Sequence, residues 1–342
     1  MLPPHRALPA SYVLPALIAG VGLASMAAVL LGGAGLAPSQ VVSAIWCGLR
    51  GQAADETAQQ IVLSIRLPRI MLALAIGSGM GLSGLAAQTL FRNPLASPYV
   101  LGVSNGAALG AVVAMLLAGR QLTYLAVPAM SVAGGLIVSA VVFALSRHAD
   151  HFGHALLLAG IAISAFCSAL MGAALYLAGE RLQTLVFWLM GGLWQATWWD
   201  VTLTLPVTAA ALIGLLLLAP AMNVALVGER SAADLGVNVR RFQIMLLLTI
   251  CVTTAVSAAV SGVIGFVSLI VPHLLRMLVG GDHRSLVPAS AAGGALLLLV
   301  ADTLARTLAA PAEIPVGIIT ALVGAPIFLW LLQLRVSARG WT

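Results

Sequence analysis

The sequence predicts an all-α, polytopic membrane protein with about ten transmembrane helices. Three observations carry this expectation. Of 342 residues, 61% are hydrophobic and only 8% are charged, against roughly 25% charged in ordinary soluble proteins. Mean hydropathy is +1.08. Uncharged apolar stretches long enough to span a bilayer, about 20 residues each, recur from one end of the chain to the other. A soluble domain, a disordered chain and a secreted disulfide scaffold are excluded. Residues 1–342 read as a single transmembrane domain.

The elements follow in order. Tyr12 to Ala37 is apolar and uncharged, longer than the roughly 7–15 residues of a signal-peptide core, so a first, uncleaved span is expected. Pro38 to Gln60 reads as a polar loop. The second span, Arg66 to Leu90, is rich in Gly, Ala and Ser, which let helices approach closely in lipid. Pro94 and Pro98 make the next connector a turn. Spans three, four and five are expected over Leu101–Ala118, Leu125–Leu145 and Ala155–Leu177. The loop between the last two holds His148, His151 and His154, and reads as solvated rather than metal-binding.

Glu180 to Asp200 is amphipathic and carries Trp188, Trp194, Trp198 and Trp199, a composition that favours the membrane–water interface. Span six covers Val201–Ala219. A long polar segment, about 220–241, separates it from span seven, Phe242–Val260. Gly262 and Gly265 part that span from span eight, Phe266–Val279. Span nine covers Val287–Leu304 and span ten Val316–Leu334.

Ten spans place both termini on one side. With that side cytoplasmic, the inside holds ten arginines against four acids and the outside six against six. This is the positive-inside asymmetry. The chain contains no lysine, so no Walker A loop and no lysine Schiff base can form on it. The three cysteines make no CxxC pair, which argues against a zinc knuckle or a redox motif. The arginines form no patch, so nucleic acid is not expected as a partner. No HExxH, GxSxG or in-span carboxylate pair appears, so no catalytic residue is assigned. Transport is the class that remains, driven by an ion gradient or by another chain. Deep ionisable residues, which ion-coupled carriers keep, are almost absent. Asp302 and Arg306 sit four residues apart near one end of span nine, where an ion pair is possible.

Ordered blocks along the chain resemble a known family. They are Arg66-Leu67-Pro68-Arg69, Gly84-Leu85-Ala86-Ala87-Gln88, Arg92 through Ala107, Gly228 through Gly236, Val271-Pro272-His273 with Arg276, Asp282-His283-Arg284, Ala301 through Arg306, and Glu313-Ile314-Pro315-Val316-Gly317. From about residue 60 to 335 the chain is similar to the permease subunit of the ATP-binding-cassette importers for ferric siderophores, haem and vitamin B12, the FecCD permease family. The resemblance implies a fold like the vitamin B12 importer permease, located in the bacterial inner membrane with both termini cytoplasmic. It implies a second permease subunit, two cytoplasmic ATPase subunits that hold ATP and Mg, and a periplasmic binding protein. The chain itself would carry no cofactor.

Site residues follow from the same resemblance. Arg66, Arg69 and Arg306 match arginines that meet carboxylates on the binding protein. Charge placement alone also allows interfacial arginines snorkelling at helix ends. Gly228, Glu229, Arg230, Ser231, Asp234, Leu235 and Gly236 match the segment that couples to the ATPase, with Ser231 as a capping candidate for a short helix. Gates at the two ends of span five fall near Gly153, His154 and Ala178. The implied cargo is a ferric siderophore, with haem or cobalamin as the alternative. An ion-coupled secondary carrier is the reading from a different class.

Overall fold

The protein is described by a computed structural model covering residues 8–32, 35–50, 56–117, 123–149 and 152–338. Among these residues fourteen α-helices follow one another and no strand occurs. Helices α1 (Ala10–Leu30), α2 (Pro38–Arg50) and α3 (Glu56–Gln60) come first. A six-residue π-helical stretch, Ile61–Arg66, then runs without a break into α4 (Leu67–Leu90). Next come α5 (Val103–Leu117), α6 (Thr123–Ser146), α7 (Phe152–Tyr176), the short α8 (Leu182–Leu189) and α9 (Trp198–Ala225). Helices α10 (Glu229–Asp234), α11 (Val239–Ser261), α12 (Val267–Val279), α13 (His283–Thr307) and α14 (Val316–Ala338) complete the chain. Seven helical segments are long and apolar enough to cross a membrane, and three shorter apolar helices, α5, α12 and α14, join them. Together these account for the ten expected spans.

Three boundaries differ from the sequence reading, each for a local reason. The expected loop at 38–60 contains α2, because Val41, Ala44 and Ile45 recur at helical spacing and pack on Ala58 and Val62. Helix α9 begins at Trp198 because Thr197 and Asp200 form a capping box. The Asp200 carboxylate accepts from the Thr197 N–H at 2.9 Å, and Thr197 Oγ1 accepts from the Asp200 N–H. The same helix continues through Pro220 to Ala225, so the polar segment outside the spans shrinks to about 226–238. Proline is tolerated inside a spanning helix because neighbouring groups re-satisfy the freed backbone.

Helix α4 is the buried axis of the molecule, with α9, α11, α12 and α13 packed around it. Its small residues explain how. A Cβ placed on Gly77 would collide with the carbonyl of Gly294, and one on Gly81 with the carbonyl of Ser290. Helices α4 and α13 therefore touch backbone to backbone, the close approach that small residues permit in lipid. By contrast, α1 and α7 present most of their surface outward, with Leu158, Phe166 and Tyr176 of α7 exposed.

Between α11 and α12 the helix breaks at Gly262–Phe266. Both Gly262 and Phe266 have positive φ, 66° and 67°. Non-helical backbone packed among helices must find protein partners, and this segment does. The Tyr99 hydroxyl donates to the Ile264 carbonyl at 2.7 Å, and the Gly192 N–H donates to the Ser261 carbonyl at 2.8 Å.

Candidate docking and coupling sites

Helices α4 and α13 run antiparallel, so the start of one meets the end of the other. At that meeting point the chain assembles three arginines and two carboxylates. Asp302 is fully buried on α13. Its carboxylate accepts from Arg69 Nε at 3.0 Å and Nη2 at 2.9 Å, a side-on bidentate pair. Arg69 Nη1 turns the other way and donates to Glu313 at 3.0 Å, just before α14. Arg306 Nε lies 3.9 Å from the second oxygen of Asp302. The expected Asp302–Arg306 pair thus exists, but the stronger partner of Asp302 is Arg69, 233 residues away.

The other two arginines serve α1. Arg66 Nη1 donates to the Val29 carbonyl at 2.6 Å, and Arg306 Nη2 donates to the Ala28 carbonyl. Helix α1 has no basic residue in its own last turn. Cations from α13 and from the π-helical turn before α4 therefore supply the charge that its carbonyl end favours. Gly32 makes room for this: a Cβ there would stand 2.9 Å from Arg66 Nη2.

Arg66, Arg69 and Arg306, which the resemblance matches to arginines that meet the binding protein, are thus brought together, but each is over 90% buried in the single chain. Glu313 is the exposed member of the cluster, with 36% of its side chain open. Arg181 is separate. Its Nη1 donates to the carbonyls of Met115 and Leu116 at 2.6 and 2.9 Å, closing the end of α5. Arg120 lies outside the described residues.

The opposite ends of α4 and α13 carry a second polar network. His283, fully buried at the start of α13, places Nε2 at 3.1 Å from Thr89 Oγ1 on α4. Asn223 Oδ1, near the end of α9, accepts from the His283 backbone N–H and faces Nδ1, both at 2.8 Å. The Asn223 amide donates to Asp282 at 2.7 Å. Asp282 caps α13 by accepting from the Arg284 N–H at 3.0 Å. That backbone bond, followed by the Asn223 amide, holds the Asp282 carboxyl below the usual carboxylate range. Sequence reasoning missed Thr89 and Asn223; ordinary polar residues at helix ends carry no spacing signal.

Helix α10 hangs from the end of α9 beside this network. Its N-cap is Gly228, with φ 132° and no side-chain cap bond. Ser231 lies inside the helix and is not its cap, a correction to the sequence reading. The far end closes as a Schellman motif. The Val237 N–H donates to Ala232 O at 3.0 Å, the Gly236 N–H donates to Ala233 O at 2.9 Å, and Gly236 takes φ 84°. Ala232 is buried against the body, while Asp234 and Gly236 are exposed and Leu235 is 71% exposed. The side chains of Glu229 and Arg230 lie outside the described residues.

The gate candidates separate. Gly153 and His154 form the first turn of α7, with His154 exposed. Ala178 is buried with Val112 and Leu185. Asp150 and His151 lie outside the described residues.

Known proteins match this architecture over most of the chain. The profile of the FecCD transport family matches residues 19–334. The hemin transport system permease protein HmuU of Yersinia pestis is 45% identical over 286 residues, covering 81% of this chain and 84% of that protein. The cobalamin import system permease protein BtuC of Halobacterium salinarum is 45% identical over 281 residues, covering 82% and 75%. A solved inward-facing conformation of a metal-chelate type ABC transporter superposes with a TM-score of 0.82 at 32% identity, covering 94% of this chain and 99% of that one.

Proposed function

The chain belongs to the FecCD transport family, and from that premise we propose that it moves a bulky tetrapyrrole metal chelate, of the haem or cobalamin kind, across the bacterial inner membrane. It is the permease subunit of an ABC importer and not an enzyme. The family assignment displaces the ion-coupled carrier reading. The observation that carries the cargo is the equal 45% identity to a hemin permease and a cobalamin permease, whose named cargoes are both macrocyclic chelates. A ferric siderophore, the cargo expected from sequence, competes in the same test.

The motor sits on other chains, since no Walker A lysine is available here. Two ATPase subunits bind at α10 on the cytoplasmic side, holding ATP and Mg. The exposed Leu235 supports this, because it offers an apolar knob at the end of α10 that the Schellman bonds close. A second permease subunit completes the pathway. A binding protein docks at the other end, where Arg66, Arg69 and Arg306 set three positive charges against the two carboxylates of Asp302 and Glu313. Both termini then lie in the cytoplasm, on the side where the positive-inside count places them.

The test is reconstitution in liposomes with the ATPase and the binding protein, scoring uptake of haem, cobalamin and a ferric siderophore side by side. ATP-dependent uptake of haem or cobalamin, lost without the binding protein, is the expected outcome. Uptake of the siderophore alone would overturn the cargo assignment.

A further inference from the structure

We infer that Glu313 is an internal competitor for the docking protein, and that docking is an exchange in which a carboxylate of the binding protein takes the place of Glu313 on Arg69. This rests on the reading of the arginine cluster as the docking site. The argument starts from access. Arg69 is held by two carboxylates. Asp302 holds Nε and Nη2 and is fully buried. Glu313 holds Nη1 with both oxygens at 3.0 Å and is 36% exposed. Arg66 and Arg306 are turned inward to the carbonyls of α1.

Of the two carboxylates on Arg69, Glu313 is the one open to solvent, so an incoming carboxylate meets Arg69 where Glu313 already holds it. Two carboxylates crowded on one nitrogen repel each other, so the newcomer binds by displacement. Displacement is feasible for three reasons. Glu313 sits outside the helices, between the end of α13 and the start of α14, among exposed neighbours from Leu308 to Ala312. The Glu313 carboxylate is partly open to water, which screens its hold on Arg69 and solvates it on release. With Glu313 swung out, three arginines face a single buried Asp302, and the uncovered surplus of positive charge draws an acidic partner. The buried Asp302 keeps Arg69 aimed throughout. The device keeps two of the three positive charges matched at rest and frees one of them when a matching acid arrives.

The experiment uses the assembled importer in lipid nanodiscs, titrated with fluorescently labelled binding protein at several salt concentrations. Glu313→Gln removes the competitor's charge and is expected to tighten docking about two- to fivefold and to steepen its salt dependence. Glu313→Asp keeps the charge and is expected to return affinity toward the wild-type value. Arg69→Lys keeps a cation beside Asp302 but removes the fork, and is expected to weaken docking. Unchanged or weaker docking by Glu313→Gln, with Arg69→Lys still weakening it, would overturn the exchange and leave the docking site standing. Unchanged docking by both variants would remove the docking site, and the exchange with it.

Discussion

Asp302 is the residue on which the arginine cluster turns. It is fully buried and lies within reach of two guanidinium groups that have little water to fall back on. Removing one partner of a buried ion pair leaves uncompensated charge and costs about 3–5 kcal/mol. Asp302→Ala is therefore expected to lower the unfolding midpoint in detergent far more than Glu313→Ala, because the Glu313 carboxylate is itself partly open to solvent and Arg69 keeps Asp302 when it is lost. Equal, small shifts for both variants would contradict this. Asp282 gives a pH signature at the other end of the molecule. Its folded pKa is depressed below the unfolded value of about 3.9. Its contribution is thus complete above that value and is lost as pH falls through the folded pKa. The acid sensitivity of the wild type below about pH 4 is expected to diminish in Asp282→Asn, as read by circular dichroism in detergent. At this scale the sequence was legible in part. Arg66, Arg69 and Arg306 were named through the family resemblance, and Asp302 through its spacing of four from Arg306. The pairing of Arg69 with Asp302 was not visible, because a contact across 233 residues leaves no local pattern. The inward turn of the three guanidinium groups was also invisible, since it depends on where α1 ends.

The elements were easier to read than their ends. All ten apolar segments were visible because spanning a bilayer demands length and hydrophobicity, and both are counted directly. Boundaries slipped where a short polar signal decided them: the Thr197–Asp200 box, the run through Pro220 and the amphipathic α2. Glycines were visible only as composition, whereas the structure separates their roles. Gly81 lies where a Cβ would strike the backbone of α13, while nothing lies within 4 Å of a Cβ on Gly172. Gly81→Leu is expected to abolish recovery of a monodisperse protein by size-exclusion chromatography, and Gly172→Leu to leave it intact. Monodisperse Gly81→Leu protein would mean that the close contact of α4 with α13 is dispensable. Helix α10 is small enough to be judged by one residue. Leu235→Asp is expected to release the ATPase during co-purification without moving the thermal midpoint, because Leu235 makes little contact with its own chain. Retained ATPase would count against α10 as the coupling element.

At the scale of the whole molecule, the helices divide by how firmly they are held. Helix α7 shows most of its surface, as does α1, and α14 flanks the bundle beside α12 and α13. The α4–α13 pair is different. An ion pair fastens it at one end, His283 and Thr89 at the other, and bare backbone meets bare backbone between them. Sliding one helix along the other would drive carbonyls into side chains within a single turn. The pair thus behaves as a keel: it can tilt with the hull but cannot shear. Spin labels at the two ends of α4 and α13 are expected to keep their separations with and without ATP bound to the motor, while labels on α7 change theirs. A change within the pair would break the comparison. The keel runs from the arginine cluster to the Thr89–His283 contact, where Asn223 ties it to the end of α9. A push at either end arrives at the other as a rotation of one stiff body, so cargo delivery and nucleotide state can inform each other without a chain of small side-chain adjustments between them.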